Sequence, residues 1–373
     1  MLIFITIAAI SIFALRSIIF IVGMYKEHRN IRTTNNSDKF YVSVIVPARN
    51  EEIHIADCIR SISANKYPND KLEIIAVNDR SNDNTLNILQ QLQNEIPNLK
   101  VVNIENESQK QNLQGKPGAL QAGINHSQGD IIMFTDADCI VGEHWIETIS
   151  SQYSDNNVGL VASFTNVLGN RIFDKIQAIE WAYLHTMASA GVGLGQPLGC
   201  YGNNLSIRRS TYNAVGGYQN IQFSVTEDLA LLQAVHNSGS QVRYITHKDS
   251  DVDTYACKTF GEYLKQRHRW AVGGLALGWR AAIFIISSAL LILGVISTII
   301  YWQPLYLAAI VFSRIFWDYW LIGSSFNILQ KKELKKWIPV GVLFFIILES
   351  FVPFLVLKKK IEWKGQVFDR IKN

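Results

Sequence analysis

Four long apolar stretches constrain this chain more than anything else in it: Leu2–Tyr25, Ala281–Tyr301, Leu305–Phe326 and Ile338–Leu357. Each approaches the roughly 20 mostly apolar residues that a helix needs to cross a hydrocarbon core. Lipid offers no partner to a backbone N–H or C=O, so segments of this kind must close their own hydrogen bonds as helices. Composition agrees. Apolar residues make up 48% of the chain and charged residues only 18%, where an ordinary soluble protein carries about 25%. The net charge of +4 is too small to call for a nucleic-acid partner.

The first stretch has no basic segment before it and no small-residue cleavage signal after it, so an uncleaved anchor over residues 1–25 is expected rather than a signal peptide. Lys26, Arg29 and Arg32 follow directly and place its C-terminal end in the cytoplasm. Arg16 is then expected to snorkel toward that side. Lys331, Lys332, Lys335 and Lys336 fit the same side. Four complete crossings would put Lys358, Lys359 and Lys360 outside, against the positive-inside tendency, so two or three spans over 275–357 and a basic tail over 358–373 are expected. Glu349 and Pro353 in the last stretch, and Arg314 and Asp318 in the third, make imperfect lipid-facing helices. Arg314 and Asp318 could line a path or pair with each other at i, i+4.

Cys58, Cys139, Cys200 and Cys257 show no CxxC or Cys/His ligand spacing, which speaks against zinc and for buried, reduced thiols.

Residues 40–270 form one stretch with no linker, repeat or low-complexity run, long enough for a core of its own. Strand-like and helix-like runs alternate: strands over Tyr41–Val46, Leu72–Val77, Val101–Ile104 and Asp130–Phe134, and helices over Glu51–Ala64, Thr85–Asn94 and Gly118–Asn125. This alternation predicts an α/β domain with a mostly parallel sheet and right-handed crossovers. Such sheets bind ligands beyond the carboxyl ends of their strands. Acidic clusters fall there: Ala48-Arg49-Asn50-Glu51-Glu52, Asn78-Asp79-Arg80-Ser81 and Thr135-Asp136-Ala137-Asp138. Carboxylates so gathered suit a hard divalent cation and a phosphorylated ligand. No Walker loop is present, and Gly191-Val192-Gly193-Leu194-Gly195 does not complete GxGxxG, so it is read as a flexible loop.

An ordered series of motifs now becomes specific: VSVIVPARNEE over 42–52, VNDRSNDNT over 77–85, Gly115-Lys116-Pro117-Gly118, Asp136-Ala137-Asp138, Thr226-Glu227-Asp228 and Gln266-Arg267-His268-Arg269-Trp270. Each is weak alone. Together and in this order they resemble the membrane-bound inverting glycosyltransferases of family 2, among them ceramide-glucosyltransferase-like enzymes and cellulose, hyaluronan and poly-N-acetylglucosamine synthases. The resemblance implies a GT-A fold, a Rossmann-like mixed sheet that takes a nucleotide-diphospho-sugar, over about residues 40–272. It further implies that Asp138 holds a metal, with Asp136 on the metal or the ribose. Pro47, Ala48, Glu51 and Asp79 would hold the nucleoside, and Lys116 would lie near the uracil and phosphates. Asp228, with Glu227 beside it in the first turn of a helix, would be the catalytic base. Gln266, Arg269 and Trp270 would contact donor or acceptor. The blander alternatives are a helix cap at Asp136, an acidic helix N-terminus at Glu227–Asp228 and an interfacial Arg/Trp anchor.

The expected cofactor is Mn²⁺ or Mg²⁺ and the expected donor a UDP-sugar in preference to a GDP-sugar. The acceptor would be a lipid or a growing glycan, at a bacterial cytoplasmic membrane with the catalytic domain facing the cytoplasm. Gly199–Asn204 resembles the loop that faces the transferred sugar, and Ile361-Glu362-Trp363-Lys364-Gly365 the tails of small bacterial members. One departure stands out. The family usually has Asp-Asp where this chain has Asn78-Asp79, and Gly in place of Arg80, which bears on the choice of base. The competing readings are a processive polysaccharide synthase and a non-catalytic membrane subunit that kept the fold.

Overall fold

A computed structural model describes residues 2–31, 39–110, 113–357, 360–363 and 366–369. Its central sheet has seven strands: β1 (Val42–Ala48), β2 (Leu72–Asp79), β3 (Leu99–Ile104), β4 (Ile131–Phe134), β6 (Val158–Ser163), β8 (Leu205–Arg208) and β9 (Gln241–Ile245), in the order β3-β2-β1-β4-β8-β6-β9. β3, β2, β1 and β4 run parallel, β8 is antiparallel to both its neighbours, and β9 is parallel to β6. The sheet is therefore mixed. A smaller sheet orders β5 (Cys139–Val141), β10 (Val252–Tyr255) and β7 (Thr165–Leu168).

Both faces of the large sheet are covered, which is why its parallel strands read as unbroken apolar runs. Val44, Val46, Ile74 and Met133 pack on α2 (Ile55–Ser63), α3 (Thr85–Glu95) and α5 (Trp145–Ser150). The alternate residues Ile45, Ile75, Ile132 and Phe134 pack on α4 (Gly115–Asn125), α6 (Ile172–Gly193) and α9 (Glu227–Asn237), with the short α7 (Arg209–Ala214) and α8 (Gly217–Asn220) at one end. Helix α10 (Phe260–Gly274) leaves the domain and runs through a kink at Gly278 into α11 (Ala282–Ile300).

Three helical segments among the described residues are long and apolar enough to cross a membrane: α1 (Leu2–Arg29), the run Phe260–Ile300 and α12 (Pro304–Ile328). A further apolar helix, α13 (Ile338–Val356), packs beside them. A terminal hairpin joins β11 (Lys360–Trp363) to β12 (Gln366–Asp369). Arg32, Lys358, Lys359, Lys364 and Gly365 lie outside the described residues.

Several local expectations change. The helix expected from Glu51 begins at Ile55, because Asn50 turns to φ 56° and Glu51–His54 form a turn. Gly191 and Gly193 are not loop residues; they end α6. The reason is packing. A Cβ at Gly193 would overlap the Gly23 carbonyl oxygen, and one at Gly23 would come within 2.5 Å of the Ala190 carbonyl oxygen. The glycines let α1 and α6 touch backbone to backbone, as small residues do between membrane helices.

Helix α1 does not stop at Tyr25. It continues to Arg29, and buried Glu27 accepts the Tyr244 N–H of edge strand β9 at 3.0 Å. Arg16 does not snorkel. It is buried inside the bundle, donating to Ser287 Oγ (2.8 Å) and Tyr183 Oη (3.1 Å). Arg314 and Asp318 do pair, at 2.6 Å, and Glu349 joins them through two bonds of 2.8 and 3.1 Å. An intramembrane guanidinium is costly unless paired in this way.

The α1–α6 crossing can be tested directly. Gly193→Ala is expected to destabilise the detergent-solubilised protein by about 1–3 kcal/mol, the usual cost of overpacking. Gly142→Ala, whose Cβ meets nothing within 4 Å, should leave the thermal midpoint unchanged. Equal midpoints for the two variants would refute the crossing.

Candidate functional site

The loops that follow β1 and β2 are laced together before any ligand is considered. The Asn50 N–H donates to Ser81 Oγ (3.0 Å), the Glu51 N–H to Thr85 Oγ1 (2.8 Å) and the Glu52 N–H to Asp83 Oδ2 (3.1 Å). In return Asn50 and Glu52 side chains accept the N–H groups of Asn82 (2.8 Å) and Asn84 (2.9 Å). Residues that read as motif spacers thus fix the backbone carrying Glu51 and Asp79.

A cleft of about 350 Å³ opens beyond these strand ends, lined by Pro47, Ala48, Glu51, Asp79, Lys116, Asp136, Asp138, Gln266 and Arg269. A second cavity of about 210 Å³ adjoins it, lined by Glu227, Asp228, Trp270, Trp181 and the Gly199–Asn203 loop. Lys116, Asp136, Gln266 and Arg269 line both. All twelve residues singled out in the sequence therefore meet around two connected spaces.

Lys116 stands at the junction. Its ammonium pairs with Asp136 Oδ1 and lies 3.5 Å from Glu227 Oε1. Burial works against that charge, but Asp136 and Glu227 more than offset it and hold the lysine pKa above its usual value. Asp228 faces the opposite balance. Burial and the neighbouring Glu227 carboxylate push its pKa up to about 6, against Lys116 and two backbone donors that favour the ionised form. Those donors are the Gly202 N–H on Oδ2 and the Leu229 N–H on Oδ1, both 2.8 Å. A carboxylate poised near neutrality in a cleft has the pKa that proton transfer needs.

Asp136 and Asp138 both line the first cleft, and no set of three His, Cys, Asp or Glu among the described residues is spaced to hold a metal unaided. That donor set suits an ion such as Mg²⁺ or Mn²⁺, which takes one or two carboxylates and completes its shell with substrate phosphates and water.

Helix α10 presents Gln266, Arg269 and Trp270. Arg269 lines both cavities, whereas Trp270 lines only the second. There the Trp270 ring meets Trp181 edge-on at 5.1 Å and Tyr201 at 5.5 Å.

Sequence reasoning missed several partners. Lys110, fully buried, donates to Asp79 Oδ2 at 2.6 Å, while Arg80 Nε donates to Oδ1 at 2.9 Å. Lys110 lies in a short 3₁₀ turn outside any motif, so no local signal marked it. Asn78 is buried away from the cleft, bonded to Asn103 Oδ1 at 2.7 Å on β3. Its lack of charge is therefore a matter of the sheet and not of the lining. Glu180 and Arg267 pair across α6 and α10, far apart in the chain.

The model of glycosyl transferase family 2 matches residues 43–216, and that of glycosyl transferase family group 2 matches residues 131–352. Among curated proteins, a probable glycosyltransferase, YdaM, of Bacillus subtilis is 29% identical over 62% of this chain and 54% of its own length. A beta-monoglucosyldiacylglycerol synthase of Trichormus variabilis is 29% identical over 63% of this chain and 49% of its own length. The poly-beta-1,6-N-acetyl-D-glucosamine synthase of Staphylococcus aureus is 28% identical over 62% and 54%. The chain thus spans about half the length of these relatives. Among solved structures, the mannosyltransferase PcManGT of Pyrobaculum calidifontis, in complex with GDP-Man and Mn²⁺, aligns over 93% of this chain and 99% of its own at TM-score 0.53 and 17% identity, which is a likeness of fold. Fold and family models converge: the model of glycosyl transferase family group 2 matches more than half of the chain, and the chain belongs to that family, with a GT-A fold.

Proposed function

We propose that this protein transfers a sugar from a nucleotide-diphospho-sugar to a lipid or lipid-linked acceptor at the cytoplasmic face of the membrane, by a single inverting displacement. The observation that carries this reading is the pair of cavities joined at Lys116, Asp136, Gln266 and Arg269, with Asp228 on the second side only. A donor in the first would present its anomeric carbon at the junction. An acceptor hydroxyl in the second would attack from the side of Asp228, which takes its proton.

The leaving diphosphate gains negative charge as the glycosidic bond breaks. Arg269 faces that position with a planar, permanently charged guanidinium suited to phosphate oxygens. A divalent cation held by Asp136 and Asp138 would supply further charge stabilisation there. Lys116, kept protonated between Asp136 and Glu227, holds positive charge at the junction of the two cavities. Glu51 and Asp79 line the first cleft and not the second, and the nucleoside would sit against them; a UDP-sugar is the favoured donor.

The lipid acceptor is favoured by the second cavity's walls. Leu184, Leu198 and Leu277 line it beside the aromatic rings, and α10 carries it directly toward α11 and the bilayer. One relative is named for a glucosylated diacylglycerol and another for a polymer. Against polymerisation, the interior of the helix bundle is filled by Arg16, Arg314 and Asp318, all buried. Product size from purified protein tests the choice: one glycolipid is expected, and a polymer ladder would overturn single transfer.

Four outcomes follow for the chemistry. Asp228→Asn should retain donor binding but lower kcat by about 10² to 10⁴, the usual contribution of a positioned base. In the wild type the base works only when ionised, so kcat should be flat above pH about 6 and fall tenfold per unit below it; a flat acid limb would remove Asp228 from the mechanism. Activity should be lost in EDTA and return with Mn²⁺ or Mg²⁺, with Asp138→Ala beyond rescue; full activity in chelator would make the acidic pair structural. Finally, Arg269→Ala should lose both transfer and donor hydrolysis to free sugar, because it acts on the leaving group. Trp270→Ala should lose transfer, chiefly through acceptor KM, and keep hydrolysis. Equal loss of both activities in both folded variants would show that the pair merely anchors the helix.

A further inference from the structure

Arg267 occupies a position between Gln266 and Arg269 that the motif leaves open, yet it makes the denser set of contacts. Arg267 is 5% exposed, and its guanidinium grips Glu180 of α6, 6% exposed, with Nε donating to Oε1 at 2.6 Å and a second N–H to Oε2. The Tyr263 hydroxyl donates to the same Oε2 at 2.8 Å. The remaining face and edge of Arg267 turn toward the site. One N–H donates to Gln266 Oε1 at 2.7 Å, and the guanidinium carbon lies 4.3 Å from the centroid of the Trp270 ring.

A buried ion pair adds little stability over an apolar pair of the same shape, so stability alone is a poor account of this one. Its geometry accounts for more. A planar fork can bond a carboxylate twice, bond an amide and stack on an indole at once, whereas a lysine ammonium can do only part of this. Glu180 is in turn one residue from Trp181, which meets Trp270 edge-on, and three from Tyr183, whose hydroxyl is held by Arg16 of the helix bundle.

We propose that Arg267 is a positioning residue: oriented by Glu180, it holds the Gln266 amide and the Trp270 ring at the boundary of the two cavities, and so sets acceptor binding without touching either substrate. The inference rests on the reading of the second cavity as the acceptor site.

The full chain in detergent provides the test, with lipids of a total bacterial membrane extract in mixed micelles as acceptor. Arg267→Lys keeps the charge. The paired Glu180→Leu/Arg267→Met replacement removes both charges together, avoids a stranded carboxylate and serves as the second variant of the test. Each should raise the acceptor KM about tenfold, a modest effect for a wall displaced by a fraction of an ångström. Donor KM and donor hydrolysis should stay within about twofold. The near-UV circular dichroism of the packed indoles should weaken without any substrate. In a Trp270→Ala background Arg267→Lys should have a smaller effect than in the wild type, since part of its action passes through that ring. Unchanged acceptor KM and an unchanged near-UV spectrum in Arg267→Lys would overturn the proposal, as would full additivity with Trp270→Ala. If Trp270→Ala itself leaves acceptor KM unchanged, the acceptor reading falls and this proposal with it; if Trp270→Ala raises it and Arg267→Lys does not, only the positioning role falls.

Discussion

The catalytic domain and the membrane bundle share one helix, and the close approach of α6 to α1 is what the rest of the molecule depends on. One face of α6 sends Ala188 and Val192 into the core beneath the sheet. The other sends Ile179, Tyr183, Met187 and Ala190 into a core built with Phe20 and Met24 of α1, Leu321 and Phe326 of α12, and Val342 of α13. A helix apolar on nearly every side is stable only when buried on every side, so neither half of the protein completes α6 alone. Glu27 adds a second tie, closing an unpaired N–H on edge strand β9 that would otherwise be open to solvent or to another strand. An anchor joined by a loose linker would do neither. Here the span is part of the catalytic fold.

That construction bears on the chemistry through electrostatics. Glu227 and Asp228 are adjacent carboxylates in the first turn of α9, and Lys116 offsets them from within the site. Two like charges so close keep one proton easily taken up, which is the condition for a base that works near neutrality. The arrangement costs stability and needs a rigid support. The support is the Gly202 N–H on Asp228, from a loop whose approach leaves Gly202 within 3.3 Å of Lys116 Nζ and 3.6 Å of Glu227 Oε1, measured from where a Cβ would stand. A larger residue there would crowd both charges at once.

Much of this was legible in the sequence, for a physical reason. The elements that position the cleft are short and local: a strand whose apolar run ends at a turn, followed by polar residues at its carboxyl end, as in Val42–Ala48 and Leu72–Asp79. Motif order carried the family, and all twelve residues it marked line the two cavities. What was not legible is tertiary. Lys110 against Asp79, Glu180 against Arg267 and Arg16 against Tyr183 join residues 31, 87 and 167 positions apart, and no periodicity connects such pairs. The glycines of Gly191–Gly195 misled because glycine means two things in a chain. It marks a loop where φ is positive, as at Gly195 (φ 72°), and a helix crossing where another backbone must come near, as at Gly193.

The departures around Asp79 illustrate how a substitution that looks like lost function can be a change of support. Arg80 adopts φ 54°, in the left-handed region that glycine enters freely and a branched or long side chain enters at a cost of about 1 kcal/mol or more. A glycine at this position would be the relaxed choice for the backbone. Arginine accepts the strain and in exchange places a guanidinium between Asp79 (2.9 Å) and Glu107. Lys110 reaches the same two carboxylates from the buried side, at 2.6 and 3.6 Å. Asp79 is thus held by two cations, neither of which lines the cleft, while Asp79 itself does. An aspartate in the place of Asn78 would add a second negative charge beside this cluster, in the interior of the sheet against Asn103. The uncharged amide suits that buried position, so the departure from the usual acidic pair belongs to how Asp79 is anchored, and the cleft itself keeps the carboxylate that the family pattern leads one to expect.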